Sequence, residues 1–234
     1  MQILIGGMLA LMLLGMPIAY ALGLSSLVYV MACTDLSPMV VAQRICVGAD
    51  SLVLLALPFF LLAGEIMNAA GITRSLTRLA LAIIGPPRGG LSYVVVAVNV
   101  LVAMVSGAAA ASAAAVGSTM VPMMEKQGYP RSYAAALNAA AATMGPIIPP
   151  SVGFIIYASV SGASVGKLFL AGTVPGLLLA LGALIVCVLM AYRHKYPAGA
   201  RHSRRELWES LREAVPALLM PVIILGGIFG GLVT

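Results

Sequence analysis

Apolar residues run through most of this sequence in long stretches that contain no charged side chain. The uncharged stretches are residues 1–34, 51–64, 89–124, 132–166, 168–192 and 214–234. A helix that crosses a bilayer needs about 20 consecutive apolar residues. Most of the stretches can hold one such helix or two shorter ones, so the pattern predicts an all-α integral membrane bundle with several spans.

Seven segments are interpreted as uninterrupted spans or as the connections between spans. The predicted spans are residues 3–32, 51–70, 168–192 and 214–234; the connections are an interfacial segment at 36–50, a basic loop at 193–205 and a polar helical start at 206–213. Between Ile72 and Ile84, Arg74 and Arg78 fall on one face and leucine and alanine on the other. This spacing predicts an amphipathic helix lying in the membrane plane.

Residues 89–124 are interrupted near their middle by Ser106-Gly107. Each arm has about 16 residues and would be only ~24 Å long at 1.5 Å per residue. That length is short of a hydrocarbon core of ~30 Å. The pattern favours a re-entrant helical hairpin with its tip at the serine; the alternative is one long span with a kinked tail.

Residues 132–166 are interrupted by three prolines within five residues, after Gly145 and before Ser151. Proline removes a backbone donor, and it pushes the preceding residue away from helical angles. We therefore expect one helix to end near Gly145 and another to begin near Ser151. The alternative is a proline kink within one ordinary span.

Composition and charge narrow the function classes. Of the 234 residues, 62% are hydrophobic and 9% are charged, and the net charge is +6. Basic residues cluster between predicted spans: Arg193, Lys195, Arg201, Arg204, Arg205 and Arg212. Such clusters mark cytoplasmic loops facing anionic lipid headgroups, so we expect no nucleic-acid partner. The three cysteines lie far apart, which predicts neither a disulfide framework nor a metal site.

The two interruptions carry the candidate chemistry. A broken helix leaves unpaired carbonyls where its first half ends and unpaired amides where its second half begins. The helix dipoles add negative character at the first and positive character at the second. Two such breaks facing each other at the bilayer midplane make a binding site for a cation and an anion, which is the design of secondary transporters.

Five segments resemble one transporter family. They are residues 61–68 (LLAGEIMN), 106–109 (SGAA), 117–124 (GSTMVPMM), 145–151 (GPIIPPS) and 169–176 (FLAGTVPG). The chain resembles the large membrane subunit of tripartite ATP-independent periplasmic (TRAP) transporters along essentially its whole length. The resemblance implies sodium-driven uptake of organic anions, typically carboxylates, across the bacterial inner membrane. It also implies a periplasmic solute-binding protein, a small membrane subunit, no cofactor, and an elevator movement against a scaffold.

The resemblance also assigns candidate site residues. The implied sodium ligands are Ser106, Ala108, Gly145, Ile148 and Pro150. The implied solute contacts are Gly107, Ser112 and Ser151. Many members of the family have a serine where this chain has Ala108, and they often have an aspartate where it has Ser112; without those side chains, ligation by the backbone remains possible.

The family's large subunit is about twice this length and has two inverted repeats, so the chain resembles the first repeat. Its second repeat is then either missing from a fragment or supplied by a separate chain. The implied organisation is a scaffold part at 1–88, a transport-domain element at 89–166 and a connecting part at 167–234. The transport-domain element consists of a hairpin at 89–125 and a broken helix at 132–166. The connecting part contains a span, the basic loop and the start of the last span.

Three polar residues inside apolar stretches leave alternatives open. Glu65 lies inside an apolar span, where an acid is either functional or an interface contact. Asn99 and Asn138 either join helices by hydrogen bonds or contact the solute. An intramembrane enzyme would need a nucleophile with a base, or a metal cluster, at depth, and the sequence offers neither. A non-transporting scaffold subunit would not need two broken helices.

Overall fold

The computed structural model describes residues 2–50, 52–199 and 203–230. These residues form eleven helices and no β-strand, which confirms the predicted all-α fold. In chain order the helices are α1 (Gln2–Leu13), α2 (Ile18–Cys33), α3 (Met39–Ala49), α4 (Leu52–Ala69), α5 (Ile72–Ile84), α6 (Gly90–Ser106), α7 (Ala109–Lys126), α8 (Arg131–Ala142), α9 (Val152–Ser161), α10 (Val165–Arg193) and α11 (Arg204–Phe229). Residues 200–202 of the predicted basic loop and 231–234 of the predicted last span lie outside the described residues.

The described helices differ in whether they are long enough to cross a membrane. Within the described residues, Val165–Arg193 and Arg204–Gly227 are each long and apolar enough to cross a bilayer. A third crossing is counted when Met39–Ala49 and Val53–Ala69 are taken together. Helix α6 has 17 residues, about 26 Å at 1.5 Å per residue, which is short of a full crossing.

The chain forms two compact units, Met1–Leu54 and Leu55–Thr234. In the first unit, the prediction of one span at 3–32 is wrong, because the segment separates into α1 and α2. Gly15 adopts a φ of +82° and Pro17 precedes α2, so the helix cannot continue. A Cβ added to Gly7 would lie 3.7 Å from Cβ of Ser25. Eighteen residues of continuous helix would separate them by about 27 Å, so α2 folds back along α1.

In the second unit, α5 begins and ends where the sequence predicts. Its buried residues include Leu76, Leu79 and Ala80, whereas Arg74 and Arg78 lie outside this buried face. The buried face packs against α6 and α11. Helix α11 continues through the predicted boundary at residue 213, so the polar start at 206–213 and the apolar segment after it belong to one helix.

The predicted hairpin is present as α6 and α7, and the alternative of one kinked span is wrong. Gly107 has a φ of +59° and Ala108 is extended, which ends the helix at the predicted place. Asn99 on α6 donates to the side chain of Asn138 (3.0 Å), which itself donates to the carbonyl oxygen of Ala113 on α7 (2.9 Å). A straight helix would hold residues 99 and 113 about 21 Å apart, so α7 folds back beside α6.

The predicted broken helix is present as α8 and α9. Helix α8 ends at Ala142, three residues before Gly145, because tight turns occupy residues 143–150. Ser151 caps α9, and its hydroxyl oxygen accepts a hydrogen bond from the amide of Phe154 (3.3 Å). An N-cap serine satisfies one of the free amides at a helix start. The break is therefore a structured loop and not a kink in one helix.

Three connecting segments meet at the base of the hairpin. Residues 85–90, 126–131 and 193–199 come together through main-chain and aromatic contacts. The amide of Gly89 donates to the carbonyl oxygen of Pro197 (3.1 Å). The basic residues of these segments therefore gather at one end of the second unit, as the hairpin predicts.

Three tyrosines pack together at this junction, and we call them the aromatic clasp: Tyr129, Tyr133 and Tyr196. Their ring centroids lie 4.4 Å (Tyr129–Tyr196), 5.3 Å (Tyr133–Tyr196) and 6.4 Å (Tyr129–Tyr133) apart. Tyr133 also donates to the hydroxyl of Ser92 at the start of α6 (3.2 Å). The clasp thus ties the segment after α10 to the base of the hairpin.

Candidate functional site

The two helix breaks are in direct contact. The carbonyl oxygen of Gly107 accepts a hydrogen bond from the amide of Val152 (3.4 Å). A Cβ added to Gly107 would lie 2.9 Å from the carbonyl oxygen of Pro150, and one added to Gly145 would lie 3.1 Å from the carbonyl carbon of Ala108. Real Cβ atoms are rarely found so close to backbone atoms, so the approach of the two breaks depends on glycine at both positions.

Hydroxyl and carbonyl oxygens gather at the hairpin tip. The Ser106 hydroxyl oxygen lies 3.0 Å from that of Ser112 and 3.4 Å from the carbonyl oxygen of Ala108. Ser112 is fully buried, and Ser106 is partly buried. Oxygen atoms of this kind are the ligands that broken helices offer to alkali cations in transporters.

The structure brings together most of the residues that the resemblance implies for sodium. Ser106, Ala108, Gly145 and Pro150 lie at the contact between the two breaks. Ile148 is buried, and its side chain faces α10, where a Cβ on Gly176 would lie 2.6 Å from its Cγ1. The assignment of these residues as sodium ligands stays a prediction.

The residues implied for solute contact occupy different environments. Gly107 stands at the contact between the breaks, and Ser112 is paired with Ser106. The hydroxyl of Ser151 donates to the carbonyl oxygen of Pro146 while it caps α9, and the residue is fully buried. The hydroxyls of Ser112 and Ser151 therefore form hydrogen bonds with other residues of the chain in this structure, and their contact with a solute stays a prediction.

The electrostatic character of the site comes from helix ends. Residues 89–124 and 132–166 contain no charged side chain. Helix α6 ends and α7 begins at one break, and α8 ends and α9 begins at the other. Because helix C-termini carry partial negative charge and N-termini partial positive charge, the junction presents both signs without a charged residue. It can therefore hold a cation and an anionic group side by side.

Three glycines on neighbouring helices allow those helices to approach the two breaks closely, a role that the sequence did not predict for them. A Cβ on Gly64 of α4 would lie 3.3 Å from the carbonyl oxygen of Val105. A Cβ on Gly172 of α10 would lie 2.6 Å from the carbonyl oxygen of Ile147. The next residue of the loop, Ile148, contacts Gly176 on the same helix. The four-residue spacing of Gly172 and Gly176 puts both on one helix face, which is the signal for close packing.

Comparison with known proteins agrees with this architecture. Residues 5–234 match the family model described as "Tripartite ATP-independent periplasmic transporter, DctM component". The chain is 44% identical over 99% of its length to the protein YgiK of Salmonella typhimurium, covering 54% of that protein. It is 40% identical over 99% of its length to the 2,3-diketo-L-gulonate TRAP transporter large permease protein YiaN of Escherichia coli, covering 55% of it. It is 42% identical over 92% of its length to the C4-dicarboxylate TRAP transporter large permease protein DctM of Pseudomonas aeruginosa, covering 50% of it.

Two broken helices in contact within an apolar helical bundle are the arrangement that many secondary transporters use for their binding sites. The chain belongs to the DctM family of tripartite ATP-independent periplasmic transporters, a family of transporter membrane components and not of enzymes. The chain spans about half the length of the curated relatives that it matches.

Proposed function

We propose that the chain serves in a sodium-coupled secondary transporter that takes up small organic anions, such as carboxylates. The observation that carries this proposal is the contact between the two breaks, Gly107 against Pro150 and Gly145 against Ala108. A non-transporting scaffold subunit has no need for helix ends buried against each other. Each buried unpaired backbone group costs several kcal/mol in a bilayer, so a bound ion would stabilise the arrangement.

The solute class is supported by the names of relatives. The Escherichia coli relative is named for 2,3-diketo-L-gulonate and the Pseudomonas aeruginosa relative for C4-dicarboxylates. Both compounds carry a carboxylate. The amide ends of α7 and α9 provide the positive partial charge that such a group would meet.

The proposal includes partners, because the family name describes a tripartite, periplasmic system. We propose that the chain works with a small membrane subunit and a periplasmic solute-binding protein in the bacterial inner membrane. It also needs a second repeat to complete the large subunit, which supplies the other half of the solute site. Lipid headgroups would contact the basic end.

The test is uptake of a radiolabelled dicarboxylate by proteoliposomes that contain the complete assembly. An inward sodium gradient should drive uptake, and an equal potassium gradient should not. Ser106→Ala should raise the sodium concentration for half-maximal uptake by about tenfold, the effect of removing one ligand oxygen worth about 1.5 kcal/mol. Uptake that ignores sodium, or a Ser106→Ala transporter with the parent sodium requirement, would contradict the proposal.

A further inference from the structure

A small cavity lies beside the hairpin tip, between α4, α5, α6 and α7. Its volume is about 40 Å³. One wall carries Glu65, Asn68 and Thr73, and another carries Ser106 and Ala108. A water molecule needs about 10–15 Å³ of such space. The cavity therefore has room for an alkali cation together with one or two waters.

Glu65 is the charged residue of this cavity. Its side chain is exposed, and so are those of its apolar neighbours on α4, Leu62 (58%) and Ile66 (60%). No described residue forms an ion pair with Glu65, and Arg78 of the adjoining α5 is engaged with Glu213 at 2.7 Å. An acid in an apolar helix is costly unless it meets a partner or a polar pathway. The cavity walls are mostly apolar, and they place the carboxylate of Glu65 in the same small space as the oxygen atoms of the hairpin tip.

Helix α4 holds Glu65 in a fixed relation to the hairpin tip. A Cβ on the preceding residue, Gly64, would lie 3.3 Å from the carbonyl oxygen of Val105 and 3.6 Å from Cα of Ser106. The polar wall beside Glu65 is ordered too, since Thr73 donates to the side-chain oxygen of Asn68 (3.0 Å). The carboxylate and the tip oxygens thus share one cavity.

We propose that this cavity is the access route by which the coupling cation reaches the hairpin break, and that Glu65 draws the cation into it. A charge in a cleft with low-dielectric walls focuses the field and concentrates counter-ions. The carboxylate acts before the cation reaches the oxygens of Ser106 and Ala108, so it is a recruiting residue and not a member of the final ligand shell. This inference rests on the proposed sodium coupling.

The test changes the charge at position 65 in the complete assembly. Glu65→Cys is made in a background where the exposed Cys33 and Cys46 are replaced by serine, while the buried Cys187 is kept. The introduced cysteine is then modified with a negative sulfonatoethyl or a positive trimethylammonioethyl methanethiosulfonate. We expect the sodium concentration for half-maximal uptake to rise about 3- to 10-fold in the cysteine variant, to fall back with the negative reagent and to rise further with the positive one.

Two controls make the result specific to charge in the cavity. Ile66→Cys lies next to Glu65 on the same helix, is 60% exposed in the parent, and does not line the cavity. Its modification should leave the sodium requirement unchanged with either reagent. Glu65→Asp keeps the charge with little change in volume, and should stay within about 2-fold of the parent, a small part of the range expected from cleft electrostatics.

The outcomes separate this inference from the proposed function. If Ser106→Ala changes the sodium requirement while both charges at position 65 leave it unchanged, the access role is wrong and sodium coupling stands. If the parent assembly takes up solute without sodium, both proposals fail. If the cysteine introduced at position 65 reacts only after the small subunit is removed, the position is an interface contact, which overturns the access role.

Discussion

The side-chain amide of Asn99 donates to the side-chain oxygen of Asn138 across 3.0 Å, in the middle of the buried face of α6. The same Asn138 donates to the carbonyl oxygen of Ala113 on the other arm of the hairpin (2.9 Å). Gly117 leaves the space for it, because a Cβ there would lie 2.6 Å from the Asn138 amide nitrogen. One carboxamide therefore fixes both arms of the hairpin to α8.

Asn138→Ala should destabilise the hairpin. The change removes two interhelical hydrogen bonds and leaves the Asn99 amide and the Ala113 carbonyl without those partners, at a cost of about 1–3 kcal/mol. Thermal unfolding in detergent should show a lower midpoint. Ser118→Ala is the matched control, since that exposed hydroxyl bonds only within its own helix, to Ala115. Equal midpoints for parent and Asn138→Ala would contradict the role of this bond.

Gly145→Val should weaken sodium dependence more than Ser106→Ala does. Its Cβ would press on the Ala108 backbone at 3.1 Å, and the two added methyl groups would separate the breaks. We expect the sodium concentration for half-maximal uptake to rise by more than about tenfold at equal expression. Gly153→Ala is the control, because its Cβ would meet no atom closer than 3.6 Å. A Gly145→Val transporter with parent behaviour would show that the breaks do not need to touch.

Three basic positions at the base of the hairpin should be accessible from the same side of the membrane. They are Arg88, Lys126 and Lys195, which stand in or next to the three segments that meet at the aromatic clasp. Each is replaced by cysteine and labelled with a membrane-impermeant maleimide in inverted and right-side-out vesicles. The positive-inside rule places all three in the cytoplasm. Labelling of position 126 from the opposite side to position 88 would contradict the hairpin.

Tyr129→Phe should remove part of the loss of stability at high pH. Burial raises the pKa of Tyr129 to about 12, whereas an exposed tyrosine titrates near 10. A raised folded-state pKa means that stability is complete below about pH 10 and falls as the pH rises towards 12. Its buried hydroxyl also lacks a well-formed hydrogen bond among the described residues, so the variant should be at least as stable as the parent at pH 7.

The measurement is the thermal midpoint of parent and variant at pH 7 and pH 11. The midpoint of Tyr129→Phe minus that of the parent should be larger at pH 11 than at pH 7. Tyr192→Phe serves as the control, because Tyr192 is 70% exposed. A Tyr129→Phe variant that loses stability at pH 7 would mean that the hydroxyl has a stabilising partner.

Local chemistry explains which parts of the fold the sequence predicted. The break at Gly107 follows from a Ser-Gly pair, and the break at residues 143–150 follows from three prolines within five residues. Single prolines such as Pro58 and Pro175 stay inside helices, so the clustering of these residues is the signal. The break between α1 and α2 was missed because Gly15 and Pro17 stand in a stretch without charged residues, and the prediction relied on charge to divide spans. A glycine two residues before a proline was the available signal.

The parts that the sequence did not predict depend on distant contacts. Tyr129 and Tyr196 pack together although 67 positions separate them in the chain (196 minus 129), and nothing near either residue marks its partner. The pairing of Ser106 with Ser112 was missed for another reason. Six residues of regular helix would hold the two residues about 9 Å apart along the axis, and only the turn at Gly107 and Ala108 brings the hydroxyls within 3.0 Å.

The glycine face of α10 has a mechanical consequence. Gly172 and Gly176 bring α10 into close contact with the backbone of Ile147 and the side chain of Ile148, so the loop between α8 and α9 packs tightly on this helix. A displacement of that loop across the bilayer would carry α10 along with it, a helix of 29 residues and about 44 Å with exposed leucine side chains. In the proposed transport cycle, the lipids around this helix would rearrange at every turnover, so membrane thickness and viscosity would slow transport.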